Sequence, residues 1–120
     1  MLDEVRVLVV DDLRDAAETM AAALALQGFD TRTAFDGAEA LAVADDYRPH
    51  VVLLDVNMPG MDGCELSRLL RQRYGDDMVL IAMTGWDAGD ERVATTFDRV
   101  DHYFRKPVDP AALRKVLSIA

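Results

Sequence analysis

Val5-Arg6-Val7-Leu8-Val9-Val10-Asp11-Asp12 is an apolar, β-branched run that stops on two acids. A run this short and this apolar reads as a strand buried on both faces, as in a parallel sheet. The pattern recurs down the chain. Thr31 to Ala34 is a short second strand. Val51 to Leu54 ends at Asp55, Met78 to Met83 ends at Thr84, and His102 to Phe104 leads to Lys106-Pro107.

The stretches between these runs read as helices. Leu13 to Gln27 is rich in Ala and Leu and ends at Gly28, a residue suited to the position just past a helix. Asp36 followed by Glu39 resembles a capping box and opens a helix to about Asp46. Asn57-Met58-Pro59-Gly60-Met61-Asp62-Gly63 reads as a loop punctuated by Pro and Gly. Asp62, with Glu65 three residues on, caps a third helix to about Tyr74. A weaker helix is expected between about Gly89 and Phe97, where Thr95 and Thr96 are poor helix formers. Asp109-Pro110 starts the last helix, since Pro is tolerated in a first turn. Five strand–helix pairs imply an α/β domain, a parallel sheet with helices on both faces, spanning residues 1–120 as one unit.

Composition narrows the function. At 51% hydrophobic and 29% charged, the chain can bury a core and is not disordered. A net charge of -9 repels nucleic acid and anionic lipid, and favours a partner with a basic patch or a site that needs a cation. The single Cys64 makes no internal disulfide and no cysteine metal cluster, which fits a reducing compartment. No apolar run approaches the ~20 residues of a membrane span. Met1-Leu2-Asp3-Glu4 is acidic and unlike a signal peptide, so a cytoplasmic location is expected.

Asp11, Asp12, Asp55, Thr84 and Lys106 each sit at or just past the C-terminal end of an expected strand. In an open parallel sheet those ends share one edge, where ligands bind at the point of strand-order reversal. Three carboxylates there repel one another unless neutralised. Lys106 supplies one positive charge, and a hard divalent cation would supply two more. The set reads as a Mg²⁺ half-site awaiting a phosphoryl group, with a carboxylate as nucleophile. Thr84 can donate to a phosphoryl oxygen, Lys106 can offset charge, and Gly85 leaves its backbone N–H open to close approach. Any one of these acids alone reads as a cap or a solvated loop residue; the joint pattern is what is specific.

Together these residues closely resemble the receiver domain of two-component response regulators. The likeness rests on Asp11-Asp12, Asp55 with Met58-Pro59-Gly60-Met61-Asp62-Gly63, Thr84-Gly85, and Tyr103 to Lys106-Pro107, and covers nearly the whole chain. It implies a flavodoxin-like (βα)5 doubly wound sheet of order 2-1-3-4-5. It implies that Asp55 accepts a phosphoryl group from a histidine kinase or histidine phosphotransfer protein. Asp12 would bind Mg²⁺ (or Mn²⁺) directly and Asp11 through water, with Asp55 and the backbone carbonyl of Asn57 completing the protein ligands. The backbone of Asn57 and Gly85 would border the phosphoryl group, and Lys106 would contact its oxygen. Thr84 and Tyr103 resemble the switch pair. A cis Lys106–Pro107 bond is expected.

The resemblance further implies an output face on the fourth helix, fifth strand and last helix, acting on a downstream protein or an attached output or kinase domain. A monomer or a weak phosphorylation-dependent dimer is expected, without turnover catalysis of its own. The stretch Tyr103 to Leu117 also looks like receivers that end hybrid histidine kinases, so the chain is either standalone or a piece of a longer protein. One departure is Arg99, near a place where the family usually has Gly before the fifth strand.

Other residues have plainer readings. Cys64 at a helix start reads as a small packing residue, His102 as structural rather than a general base, and His50 as solvated. Met20, Met78 and Met83 read as core, and Met58 and Met61 as loop packing. Trp86 reads either as a cover over the pocket mouth or as loop packing. Three competing functions fare worse. A Mg²⁺-dependent phosphatase would want a second carboxylate two residues after the nucleophile, where Asp55-Val56-Asn57 offers Asn. A flavin or nucleotide module would want a Gly-rich loop where Asp11-Asp12 stands. An inactive docking receiver is disfavoured by the intact key residues.

Overall fold

The computed structural model describes residues 5–56, 58, 60, 63–85, 100–106 and 108–119. The expected fourth helix, Asn57, Met61, the capping Asp62, Trp86, Arg99 and the Lys106–Pro107 bond lie outside the described residues. Five parallel strands, β1 (Arg6–Val10), β2 (Asp30–Ala34), β3 (Val51–Asp55), β4 (Val79–Thr84) and β5 (His102–Arg105), form one sheet of order β2-β1-β3-β4-β5. Helices α1 (Arg14–Leu26), α2 (Gly37–Tyr47) and α3 (Gly63–Tyr74) and a C-terminal helix (Pro110–Ile119) flank it.

Strand alternation sorts the core into two layers. Leu8, Val10, Val52, Leu54 and Leu80 pack with Leu41 and Ala44 of α2 and Leu66 and Leu70 of α3. Val7, Val9, Val51, Leu53, Ile81 and Met83 pack with Ala17, Ala21 and Leu24 of α1 and Leu113 of the C-terminal helix. Successive side chains point to opposite faces, so each central strand feeds both layers, which is why these runs are apolar throughout. Each fully buried Val, Leu or Ile contributes about 1.5–3 kcal/mol. The same alternation carries Asp11, Asp55 and Lys106 to the α1 side, in phase with Val9, Leu53 and Phe104.

Local signals explain the helix ends. Gly28 has φ +101° just past α1, a region where a Cβ is strained. Asp36 Oδ1 accepts from the Glu39 N–H (2.7 Å) at the start of α2. Glu39 Oε1 reaches back to the Phe35 N–H (2.9 Å), one residue beyond the partner a capping box would use. Asp109 Oδ1 accepts from the Ala111 N–H (2.9 Å) before the last helix.

Four features add to the sequence reading. Arg48 closes α2 at φ 52°. Its strained carbonyl, and that of Tyr47, accept from the Arg6 guanidinium. His50 is exposed yet is not merely solvated, because its Nδ1 accepts from the Arg6 N–H (2.9 Å). Met58 is a loop residue that packs, as expected, and its packing is deep: it is 4% exposed and joins the layer of α2 and α3. Met78 and Met83 are buried and Met20 packs against the α1 layer, as expected. A 3-10 turn, Gly75–Asp77, precedes β4 and was not foreseen.

Candidate functional site

The chain runs from β1 out to β2 and then back across to β3, so strand order reverses between β1 and β3. Asp11 follows β1 and Asp55 ends β3 at that reversal. Both acids are nearly inaccessible, at 3% and 4% exposure, while Asp12 is half-buried. One carboxylate oxygen from each of Asp11, Asp12 and Asp55 lies within 4.8 Å of the others.

Lys106 reaches this cluster from beyond β5. Its Nζ lies 3.0 Å from Asp55 Oδ2 and 3.3 Å from Asp11 Oδ2. Its backbone N–H donates to the Thr84 carbonyl (2.8 Å), which extends the β4–β5 ladder and fixes the root of the side chain. Burial pulls the ammonium's pKa down, but the Asp55 hydrogen bond and charge, followed by those of Asp11, outweigh it and leave the pKa raised. The cluster holds three carboxylates, and the ammonium contacts two of them, Asp11 and Asp55. A dication would balance the remaining charge, and an all-oxygen donor set suits Mg²⁺, which prefers hard ligands and takes few carboxylates at a time. The residues therefore fit such an ion.

Asp11 is itself held in place: its Oδ1 accepts from the Leu13 N–H (3.0 Å) and its N–H donates to the Ala34 carbonyl (3.1 Å). Thr84 is fully buried at the end of β4. Tyr103 is half-buried in β5 opposite Ala82, and alternation places it on the same face as Thr84. Gly85 is exposed, and a Cβ there would meet no atom within 4 Å. Cys64 is half-buried, and its carbonyl accepts from Ser67 Oγ (2.8 Å). His102 opens β5 in an exposed position. A groove of about 700 Å³ opens on Asp11 and Lys106 between α1 and the C-terminal helix, lined in part by Ala16, Thr19, Ala23 and Val108.

One contributor escaped the sequence reading. A Cβ on Gly63 would lie 2.5 Å from Val56 Cα and 2.7 Å from the Asp55 carbonyl oxygen. The Gly63 N–H donates to the Val56 carbonyl (3.0 Å). The first turn of α3 thus rests directly on the backbone that carries Asp55. In the sequence, Gly63 reads only as the end of a turn-rich loop; its place at a helix start straight after a strand-end acid was the available signal.

An open parallel sheet with buried acids and one lysine at its switch point defines a class of α/β domain built around an oxygen-donor, anionic site. Comparison with known proteins makes the class specific. The family model described as "Response regulator receiver domain" matches residues 7–118. Response regulator MprA of Mycobacterium sp. (strain KMS) is 43% identical over 103 residues, covering 86% of this chain and 44% of that protein. The chain thus spans less than half the length of the curated relatives it matches. Among solved structures, the chemotaxis protein CheY4 of Vibrio cholerae aligns with a TM-score of 0.86 at 29% identity, covering 98% of each chain. A CheY-like receiver domain protein of Methanospirillum hungatei JF-1 aligns with a TM-score of 0.88 at 25% identity, over 98% of this chain and 93% of that one.

The chain belongs to the response regulator receiver domain family. Receiver domains are signalling domains of two-component systems that carry a phosphoryl group on aspartate and bind Mg²⁺ in an acidic pocket. The sheet is the flavodoxin-like fold of order 2-1-3-4-5. Among the described residues, no helix is long and apolar enough to cross a membrane.

Proposed function

We propose that residues 1–120 act as a single receiver unit in which Asp55 accepts a phosphoryl group from a phosphohistidine donor, a histidine kinase or a histidine phosphotransfer protein. The observation that carries this reading is the Lys106 ammonium, set 3.0 Å from Asp55 and 3.3 Å from Asp11 at the reversal point of the sheet.

A carboxylate oxygen of Asp55 attacks phosphorus, the P–N bond to the donor imidazole breaks, and the electron pair returns to the ring nitrogen. Asp11, Asp12, Asp55 and the Asn57 carbonyl would hold Mg²⁺ or Mn²⁺, which supplies Lewis-acid neutralisation of phosphoryl charge when bound. Lys106 then trades its contact with the Asp55 carboxylate for one with a phosphoryl oxygen. Thr84 donates to another, with the backbone of Asn57 and Gly85 at the border of the group. Because Thr84 is buried and shares a face with Tyr103, its movement toward the new charge leaves space that the Tyr103 ring can enter. The output is a changed surface around β5 and the helices beside it, read by a downstream protein or by an attached output or kinase domain. The groove on Asp11 and Lys106, with small side chains from α1, offers the donor protein a surface beside the acidic cluster. The domain assists its own phosphorylation and dephosphorylation and is not a turnover enzyme. Its setting is cytoplasmic, as a monomer or a phosphorylation-dependent weak dimer, either alone or within a hybrid histidine kinase or other longer protein.

Beryllofluoride with Mg²⁺ stands in for the phosphoryl group and provides the test. It should shift the amide resonances of Thr84, Tyr103 and Lys106 in the wild type. Lys106→Ala should stay folded and lose the response at Thr84 and Tyr103. An unchanged response in Lys106→Ala would remove that residue from the switch. Sustained release of phosphate from phosphate esters would favour a phosphatase instead.

A further inference from the structure

The lead into β5 is fastened at the edge of the sheet far from the acids. The Asp101 N–H donates to the Leu80 carbonyl (2.8 Å). Asp101 Oδ2 accepts in return from the Leu80 N–H (2.9 Å) and from Arg71 Nη2 (2.6 Å). Arg71 Nη1 also donates to the carbonyls of Gly75 (2.9 Å) and Met78 (2.8 Å). One guanidinium near the end of α3 thereby ties together the 3-10 turn, the lead into β4 and the lead into β5. An ion pair at a protein surface does little by itself. Here the carboxylate also satisfies a backbone donor of the neighbouring strand, doing the work of a ladder carbonyl.

β5 needs such a fastening. It has four residues, and among the described residues it pairs only with β4. Its ends are exposed and its two middle residues are half-buried. Register is weakly specified where few side chains are buried. A slip of one residue would turn Phe104 away from the layer it shares with Ile81 and Met83. A slip of two would keep the faces but carry Lys106 about 6.6 Å along the sheet, out of reach of an acid now 3.0 Å away.

We infer that Asp101 and Arg71 are positioning residues: they fix the register of β5 from the far edge of the sheet and so set the reach of the Lys106 ammonium toward Asp55. Asp101 lies five residues before Lys106, about 16 Å along an extended chain. It acts through the strand. The inference rests on the importance of Lys106 to the proposed switch, but its test needs no phosphoryl transfer.

The chain has two lysines, Lys106 and Lys115, so ¹³C-lysine labelling gives two side-chain signals with Lys115 as internal reference. In the wild-type background, Asp55→Asn should move the Lys106 Cε signal and leave Lys115 in place. In an Asp101→Ala background the same change should leave both in place. Exchange of the Lys106 amide should also quicken at least about tenfold, since the carboxylate's charge-assisted bonds to Leu80 and Arg71 are both lost, while amides of β1 and β3 stay protected. Asp101→Asn, whose amide oxygen can still accept from Leu80, should behave as wild type. Arg71→Ala should follow Asp101→Ala, and the double variant should add nothing. An Asp101→Ala protein in which Lys106 still senses Asp55 and its amide exchanges at the wild-type rate overturns the inference. Should that variant not fold, Arg71→Ala carries the test, and a wild-type response there overturns it equally. Failure of the phosphoacceptor reading would show separately, as wild-type protein that takes up no phosphoryl group.

Discussion

Gly63→Ala should lower stability by about 2–3 kcal/mol, although helix propensity alone favours Ala over Gly by about 1 kcal/mol. The new methyl carbon would stand 2.5 Å from Val56 Cα, 2.7 Å from the Asp55 oxygen and 3.0 Å from Leu54 Cδ1. Two of those three atoms are backbone at the buried end of β3 and the residue after it, so neither can swing aside. Relief requires the start of α3 to back away by about 1 Å, which opens the layer that Leu66 and Leu70 fill and forfeits contact there. Urea unfolding measures the result. With slopes of about 1–3 kcal/mol per molar for small proteins, the midpoint should fall by about 0.7–3 M with the slope unchanged. Gly85→Ala is the matched control, since its Cβ meets nothing within 4 Å, and it should move the midpoint little. Gly63→Ala at or above wild-type stability would refute the close-packing argument, because propensity would then have won.

Two further outcomes follow from the charge cluster. In EDTA, Asp12→Asn should raise stability by about 1–3 kcal/mol, the repulsion of unit charges near 4.8 Å between a watery and a partly buried dielectric. The same variant should lose most of the stabilisation that Mg²⁺ gives the wild type, as measured by urea midpoints with and without the ion. The Lys106 pKa is raised in the fold because Asp55 and Asp11 together outweigh burial. Its contribution is therefore fully present below the unfolded value, about 10.4, and is lost as pH rises through the higher folded value. Wild-type protein should lose stability more steeply than Lys106→Met across that alkaline window, and parallel curves would contradict the pairing.

The central strands and the acids that stop them were legible in the sequence because burial on both faces leaves a continuous apolar run, and the first polar residue marks the edge. That rule picked out Asp11, Asp55 and Thr84; Lys106 follows an edge strand that is only half-buried, and its signal was the Lys-Pro pair just past the last strand. What the sequence hid depends on contacts between distant segments. Arg6 reads as a polar interruption of a strand, yet it holds the strained Arg48 turn some forty positions away. Met58 reads as loop packing, and the depth of its burial in the layer of α2 and α3 is set by those distant helices. Gly63 reads as a flexible turn residue and is a packing requirement. Asp101 carries no motif that marks it, and its partners, Arg71 and Leu80, lie thirty and twenty-one positions away. Periodicity reports which face a residue takes; it carries no record of which distant backbone will press against it.

The most direct measurement is intact mass after incubation with a small acyl phosphate and Mg²⁺, followed by peptide mapping of the modified chain. One added phosphoryl group is expected, on Asp55, absent from Asp55→Asn and from samples with EDTA. No mass gain in the wild type, or a gain that survives Asp55→Asn, would contradict the account.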